Sequence, residues 1–366
     1  MSKIRKQIFL LIVFLLPWQI RFIWGAENIG GHTNEFAVYS IYLVQILLVA
    51  LAMWELILWR DSQNKSNFGR GQFFALLLFA WIFFLWQWRA ASEYGLVYIN
   101  YLIASILLCV LGVYYKVRGS EILSYLTAGL IVPFLFGVYQ VMNGWFPAIS
   151  WLGIAARDAY RAGDSVFLLP SGSRILRAYG SFPHPNIFAG YLALVGLLSV
   201  VYRKQIKPIL FYAAAGMAII GLIITGSVAA WAAFLAAVIA YLHYPWFSKK
   251  NTLIVAVSVI LFSIIFLLTF YVINWGGRSV IERAQFIIWW WQVFWPNNFL
   301  LGSGAGQYMQ ALAKTIFASW WLYQPVHNVF LLWLVEVGII GVVLSVAFFI
   351  EIYKKLPWHR LSPAII

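Results

Sequence analysis

Uncharged apolar runs the length of one bilayer-crossing helix recur along this chain, and no other feature limits its folding as strictly. A spanning helix needs roughly 20 apolar residues, and residues 252–274, TLIVAVSVILFSIIFLLTFYVIN, supply such a run without one charge. With 63% hydrophobic and 10% charged residues over 366 positions, the chain belongs in a membrane. A transmembrane β-barrel would show weak alternating segments of about ten residues instead. The expected fold class is therefore all-α: a polytopic transmembrane helical bundle forming a single membrane domain over 1–366. Spans are expected near 7–24, 40–59, 72–88, 96–115, 122–142, 187–202, 208–226, 228–247, 252–274 and 328–353, about 10 in all. The first follows Lys3, Arg5 and Lys6, meets no small-residue cleavage site and is followed by Arg21, so it reads as an uncleaved span rather than a signal peptide.

Cytoplasmic loops carry the excess of Lys and Arg. Placing the N-terminus inside puts sixteen of the 25 basic residues on the cytoplasmic side, and both termini are then cytoplasmic. The remaining nine are Arg21, Arg89, Arg157, Arg161, Arg174, Arg177, Arg278, Arg283 and Lys314, eight of them arginine, whereas ten of the sixteen inside are lysine. Orientation alone does not distinguish the two residue types. A guanidinium offers a planar fork of donors that fits phosphate and carboxylate, and it stays charged beside apolar surfaces. Some of the nine are expected as snorkelling anchors; Arg174, Arg177 and Arg283 together read as anion ligands.

The net charge of +14 is spread over short loops without a continuous basic groove, so no nucleic-acid partner is expected. It suits anionic membrane lipid, and 20 Trp with 20 Tyr suit interfacial belts. Cys109 is the sole cysteine, which excludes a disulfide framework. External carboxylates show no metal-ligand spacing, and no cofactor or metal is expected.

Two outer loops, 143–186 and 275–327, are long for a protein whose other connections are short. They are rich in Trp, Phe, Leu and Ile, so short helices lying on the outer face are expected in both. An acyl or prenyl chain can dock against a stretch such as FIIWWWQVFW. The first loop ends RILRAYGSFPHPN, where His184 and Asn186 stand beside Pro183 and Pro185 directly before a span, with Arg174 and Arg177 upstream. Free N–H groups at that helix start face an anion favourably. The second loop holds Arg283 and then LLGSGAGQY, whose Gly302 and Gly304 permit either a plain tight turn or backbone contact with a ligand. It closes on His327-Asn328, with Glu336 nine residues on inside the last apolar run. His327 reads either as an interfacial side chain or as a base suited to neutral pH. An ionisable group such as Glu336 within a span costs a few kcal/mol or more unless it meets a partner or a polar cavity.

Three strings in order, RAYGSFPHPNIFAGYLAL at 177–194, ERAQFIIWWWQVFWPNNFLLGSGAGQY at 282–308 and HNVFLLWLVEVGIIG at 327–341, resemble successive signatures of the O-antigen ligase and polymerase superfamily of bacterial membrane proteins. The resemblance implies a GT-C-like, metal-independent glycosyltransferase of the bacterial cytoplasmic (inner) membrane. Such an enzyme moves a glycan from an undecaprenyl-diphosphate-linked donor to a hydroxyl on a lipid or glycan acceptor at the periplasmic or outer face. It implies His327 as the group that activates the acceptor and Arg283 as a diphosphate ligand; the reading of the residues adds Arg177 and Arg174 as diphosphate ligands and Asn328, Glu336, His184, Asn186, Gly302 and Gly304 as supporting residues. One position departs from the pattern. Val228, in ITGSVAAW, stands where family members often carry an arginine, so that either Arg177 or Arg174 serves instead, or the substrate is another one, or the activity is lost.

Two rival readings use the same carrier lipid. A lipid-linked glycan transporter or flippase predicts internal repeats and broken or charged helices at the midplane; no repeat is visible, and only Glu55 and Glu336 lie well within the spans. A ten-span peptidoglycan polymerase predicts a catalytic carboxylate in its large outer loop, where Asp158, Asp164 and Glu282 are available.

Overall fold

The computed structural model describes residues 3–29, 31–61, 70–89, 93–161, 163–169, 171–243, 278–318 and 322–355. The chain divides into two compact units. One comprises Met1–Arg21, Tyr42–Leu51 and Cys109–Gly276; the other comprises Phe22–Ile41, Ala52–Leu108 and Gly277–Ile366.

The described residues are mainly helical. Four helical stretches, Glu93–Tyr114, Gly119–Asn143, Pro208–Thr225 and Val329–Glu351, are long and apolar enough to cross a membrane, and Leu43–Leu58, Phe73–Trp88, Pro185–Val201 and Val228–Tyr241 are shorter apolar helices. These eight fall on eight of the ten expected spans. The ninth, at 252–274, lies outside the described residues. The first expectation is corrected: no helix runs through 7–24. Helix α1 (Lys3–Leu15) passes into a single 3-10 turn, Leu16–Trp18, and a strand begins at Arg21. Pro17 has no N–H to continue the ladder, and Gln19 at φ 57° turns the chain aside. At 1.5 Å per residue, α1 reaches only about 20 Å.

In the first unit, α1 packs on α5 (Gly119–Asn143), and a Lys6–Glu121 ion pair of 2.9 Å ties their ends. A side chain at Gly129 would run into the Phe14 carbonyl, so glycine sets how closely the two helices meet, as small residues do in membranes. Helices α6 (Pro185–Val201), α7 (Pro208–Thr225) and α8 (Val228–His243) complete the unit, with α6 packed against both neighbours.

Between α5 and α6 the expected short helices do not form. Apart from a 3-10 turn at Ser150–Leu152, the described segment consists of two small antiparallel ribbons. Strand β3 (Trp145–Phe146) pairs with β4 (Arg157–Asp158), and β5 (Val166–Leu168) pairs with β6 (Arg174–Leu176). Gly144 at φ 71° stops α5, and Gly172 at φ 83° closes the second ribbon by donating to the Leu169 carbonyl at 2.9 Å. L-residues rarely hold such backbone angles, so these glycines break the segment into reversals rather than helix turns.

In the second unit, strands β1 (Arg21–Ile29) and β2 (His32–Tyr42) form a ribbon. They join α3 (Arg70–Trp88), α9 (Arg278–Phe294), α10 (Tyr308–Thr315) and α11 (Val329–Lys355). Helices α9 and α10 meet the expectation of short helices in the later loop. One core gathers Trp290, Val293, Phe294, Tyr308, Leu312 and Val335; another gathers Leu78, Ile82, Leu85, Ala305 and Val337. Helices α2 (Leu43–Asp61) and α4 (Glu93–Tyr114) contribute residues to both units.

Helix α11 is broken at Gly338, φ 67° and ψ −180°. A break frees carbonyls and N–H groups that hydrocarbon cannot satisfy. Here the 299–304 segment takes them up. Ser303 and Gly304 donate their N–H groups to the carbonyls of Val335 and Glu336 at 2.8 and 3.0 Å, and Ile339 donates to the Phe299 carbonyl at 3.0 Å. The Trp81 indole donates to the Val337 carbonyl at 2.9 Å. Loop and helix thus form one hydrogen-bonded body.

Candidate functional site

Within the first unit, the chain leaving β6 runs past α7 into α6. Gln140, wholly buried in α5, holds that segment in place. Its Oε1 accepts from the Tyr179 and Gly180 N–H groups at 2.7 and 2.9 Å, and its Nε2 donates to the Gly180 carbonyl at 2.9 Å. Ala178 donates its N–H to the Ile224 carbonyl at 3.0 Å. Arg177 is thereby aimed at the turn between α7 and α8: Nε donates to the Thr225 carbonyl at 2.6 Å and one terminal nitrogen donates to Asn186 Oδ1 at 2.8 Å. Its guanidinium stands 5.9 Å from the centre of the Phe167 ring. Burial draws the Arg177 pKa below its ordinary value, opposed in part by Tyr179, yet a guanidinium remains charged at any working pH.

His184 caps α6, its Nδ1 accepting from the Asn186 N–H at 3.1 Å, with Pro185 opening the helix. Its Nε2 lies 3.5 Å from Ser165 Oγ. Arg174 donates through Nε to the Ala159 carbonyl at 2.6 Å. Composition gave no sign of the partner of Arg157, which is Asp164. The ion pair is 2.8 Å long, with the Asp164 side chain 3% exposed. Arg157 also donates to the Pro183 carbonyl and lies 4.2 Å from the centre of the Tyr179 ring. The second Asp164 oxygen accepts from the Asp158 N–H, and Asp158 Oδ1 accepts from the Tyr160 N–H. Two of the three carboxylates available to the peptidoglycan-polymerase reading, Asp158 and Asp164, are engaged in organising this loop.

The second unit answers why HN precedes so apolar a helix. Asn328 is the cap of α11: its Oδ1 accepts from the Phe330 and Leu331 N–H groups at 3.0 and 3.1 Å, two of the donors that every helix start leaves without partners. His327 therefore sits just outside the first turn, exposed, its ring edge-on to Phe286 with centroids 5.5 Å apart. Phe286 belongs to α9, which is fastened to α11 by the Trp290 indole donating to the Leu331 carbonyl at 2.7 Å. Arg283 lies in α9 one turn before Phe286; its side chain is outside the described part, as is that of Glu282.

Glu336 lies in the broken stretch of α11 and is 3% exposed. Its carboxylate faces the N–H groups of Gly306 and Tyr308 and the Tyr98 hydroxyl of α4, while its Oε2 is buried without a hydrogen-bond partner among the described residues. Gly302, at φ 80°, and Gly304, at φ 103°, belong to the segment that repairs the break. A side chain at Gly302 would meet the Glu336 carbonyl, and one at Gly338 would meet the Leu300 carbonyl. The glycines thus make backbone contact, and the contact is with α11. Among the described residues no three His, Cys, Asp or Glu side chains group to hold a metal ion.

Against known proteins, residues 213–346 match the family profile for O-antigen ligase (Wzy_C). This stretch is similar to O-antigen ligase. This supports the O-antigen ligase and polymerase family, and a search of curated proteins returns no match. The matched stretch includes Arg283, Gly302, Gly304, His327, Asn328 and Glu336. Arg174, Arg177, His184 and Asn186 precede it, and Arg177 reaches into it through Thr225.

Proposed function

We propose that this protein is a metal-independent, inverting glycosyltransferase that moves a glycan from undecaprenyl diphosphate to an acceptor hydroxyl, as an O-antigen ligase or a polysaccharide polymerase does, at the periplasmic face of a helical bundle in the bacterial inner membrane. The observation that carries the reading is the O-antigen ligase match, which spans the α9 to α11 assembly holding His327. In this reading the acceptor oxygen attacks the anomeric carbon as the bond from that carbon to the diphosphate oxygen breaks. The His327 imidazole takes the hydroxyl proton, and undecaprenyl diphosphate departs with both bonding electrons. In this reading Arg283, Arg177 and Arg174 are assigned to the charge gathering on the leaving group. Asn328 fixes where the imidazole stands, Glu336 holds α11 to the glycine loop, and His184 and Asn186 set the start of α6 and the Arg177 fork. Arg177 supplies, at the α7–α8 turn, the guanidinium that Val228 omits.

The test is transfer by reconstituted protein from a defined undecaprenyl-diphosphate glycan to a panel of lipid-linked and glycan acceptors. His327→Ala and Arg283→Ala are expected to lose turnover while keeping the elution profile of the parent protein. Full turnover by the histidine variant, or a requirement for a divalent ion, overturns the mechanism.

A further inference from the structure

The first unit also contains a narrow cleft of about 20 Å³ between the end of the 3-10 turn and the segments at 153–157 and 179–183. Gln19, Arg21, Arg157 and Ser181 line it along with backbone of Gly153 and Gly180, and none of its lining residues is acidic. The two guanidiniums differ. Arg157 is neutralised by Asp164. Arg21 makes one long contact, 3.4 Å from Nη1 to the Tyr42 hydroxyl, with its guanidinium 5.8 Å from that ring; among the described residues it meets no carboxylate. The walls are built around unusual backbone. Gln19 holds φ 57° without being glycine, and a side chain at Gly153, φ 70°, would stand 3.1 Å from both the Arg21 nitrogen and the Gln19 carbonyl. Strained backbone of this kind persists where the surroundings enforce it, and it clusters at ligand clamps.

We infer that the Arg21 cleft is a binding site for a compact phosphoryl anion. A guanidinium with donors to spare, facing a concave surface without opposing carboxylates, matches the tetrahedral oxygens of a phosphoryl group. The narrowness of the cleft excludes a sugar ring. None of the residues assigned to glycan transfer is used, so the site stands or falls independently of that reaction.

The test is calorimetric titration of the full chain in detergent at low ionic strength with inorganic pyrophosphate and, separately, farnesyl diphosphate. The background is Arg177→Ala with Arg283→Ala, which removes the guanidiniums assigned to transfer. Binding should persist there and weaken about ten- to a hundredfold on adding Arg21→Ala, with Arg21→Lys retaining more of it. Tighter binding of farnesyl diphosphate assigns the anion to a lipid carrier. Equal binding of the two probes assigns it to a soluble or acceptor-borne phosphate. Absence of binding in the background protein, or binding indifferent to Arg21, overturns the site. If transfer assays fail while Arg21-dependent binding holds, the proposed reaction is wrong and the cleft stands.

Discussion

Arg177 and Thr225 are joined by a 2.6 Å hydrogen bond from the guanidinium Nε to a backbone carbonyl, across 48 residues of chain. Thr225 ends α7, and Gly226 at φ 59° turns the chain toward α8. A positive charge is thus carried to the start of a helix whose own sequence begins with Val228. The fork is held at its other end by Asn186 at 2.8 Å, so its orientation is set at two points.

The first prediction concerns that fork. A lysine cannot serve Thr225 and Asn186 together with planar geometry. Arg177→Lys is therefore expected to lower transfer about ten- to a hundredfold, the worth of a charge-assisted hydrogen bond, with Arg177→Ala lower still. Asn186→Leu, which leaves the charge but frees one arm, should fall between parent and lysine variant. Turnover measured at saturating donor checks the ranking. An Arg177→Lys protein as active as the parent removes Arg177 from the site.

The second separates the roles of two adjacent residues. Asn328→Ala removes the α11 cap and is expected to cost about 1 kcal/mol, read as a lower midpoint of thermal unfolding in detergent, while Asn328→Asp restores both the cap and turnover. His327→Gln leaves the cap intact and should show a parental midpoint with no transfer. Loss of activity in Asn328→Asp at parental stability would mean that the amide takes part in the chemistry.

These two residues also show what could be read from the sequence. The apolar helices were legible because each is a continuous run, and the bilayer imposes its length. The same signal overran at 7–24, because hydropathy continues through Pro17 and Trp18 while the N–H ladder does not. The 143–186 segment read as helical from its aromatic content, but its strands are two or three residues long, too short for any alternation to register. Polar residues in apolar surroundings were the most faithful pointers to structure. Asn328 marked a cap and Glu336 a helix break, and Gln140, passed over as one amide inside a span, marked the staple of the 177–183 segment. No local pattern indicates a partner 48, 40 or 32 residues away, so Thr225 beside Arg177, and the 299–304 segment beside α11, emerge only with the fold.

The third prediction rests on the repaired break. An alanine at Gly302 or Gly338 must adopt positive φ and place its methyl against a carbonyl of the opposing segment. Each substitution is expected to cost about 1–3 kcal/mol from backbone strain, with the steric clash in addition. Gly216→Ala is the control: it lies within α7, where an added methyl meets nothing within 4 Å, so parental or slightly higher stability is expected. Thermal midpoints of the three proteins decide it, and equal values for all three would show that the loop does not seat in the helix.

The fourth concerns Gln140, whose amide serves three backbone groups at once. Gln140→Leu keeps the volume but leaves the N–H groups of Tyr179 and Gly180 and the Gly180 carbonyl buried without that partner, at about 1–3 kcal/mol for each group. The damage should spread beyond stability, because the segment that Gln140 holds is the one that delivers Arg177. Hydrogen exchange at 177–183 is expected to rise sharply, and transfer to drop in step, whereas Gln140→Glu, keeping an acceptor for the two N–H groups, should preserve more of both. Fast exchange at 177–183 with parental turnover would show that the reaction does not depend on where this segment holds the Arg177 guanidinium.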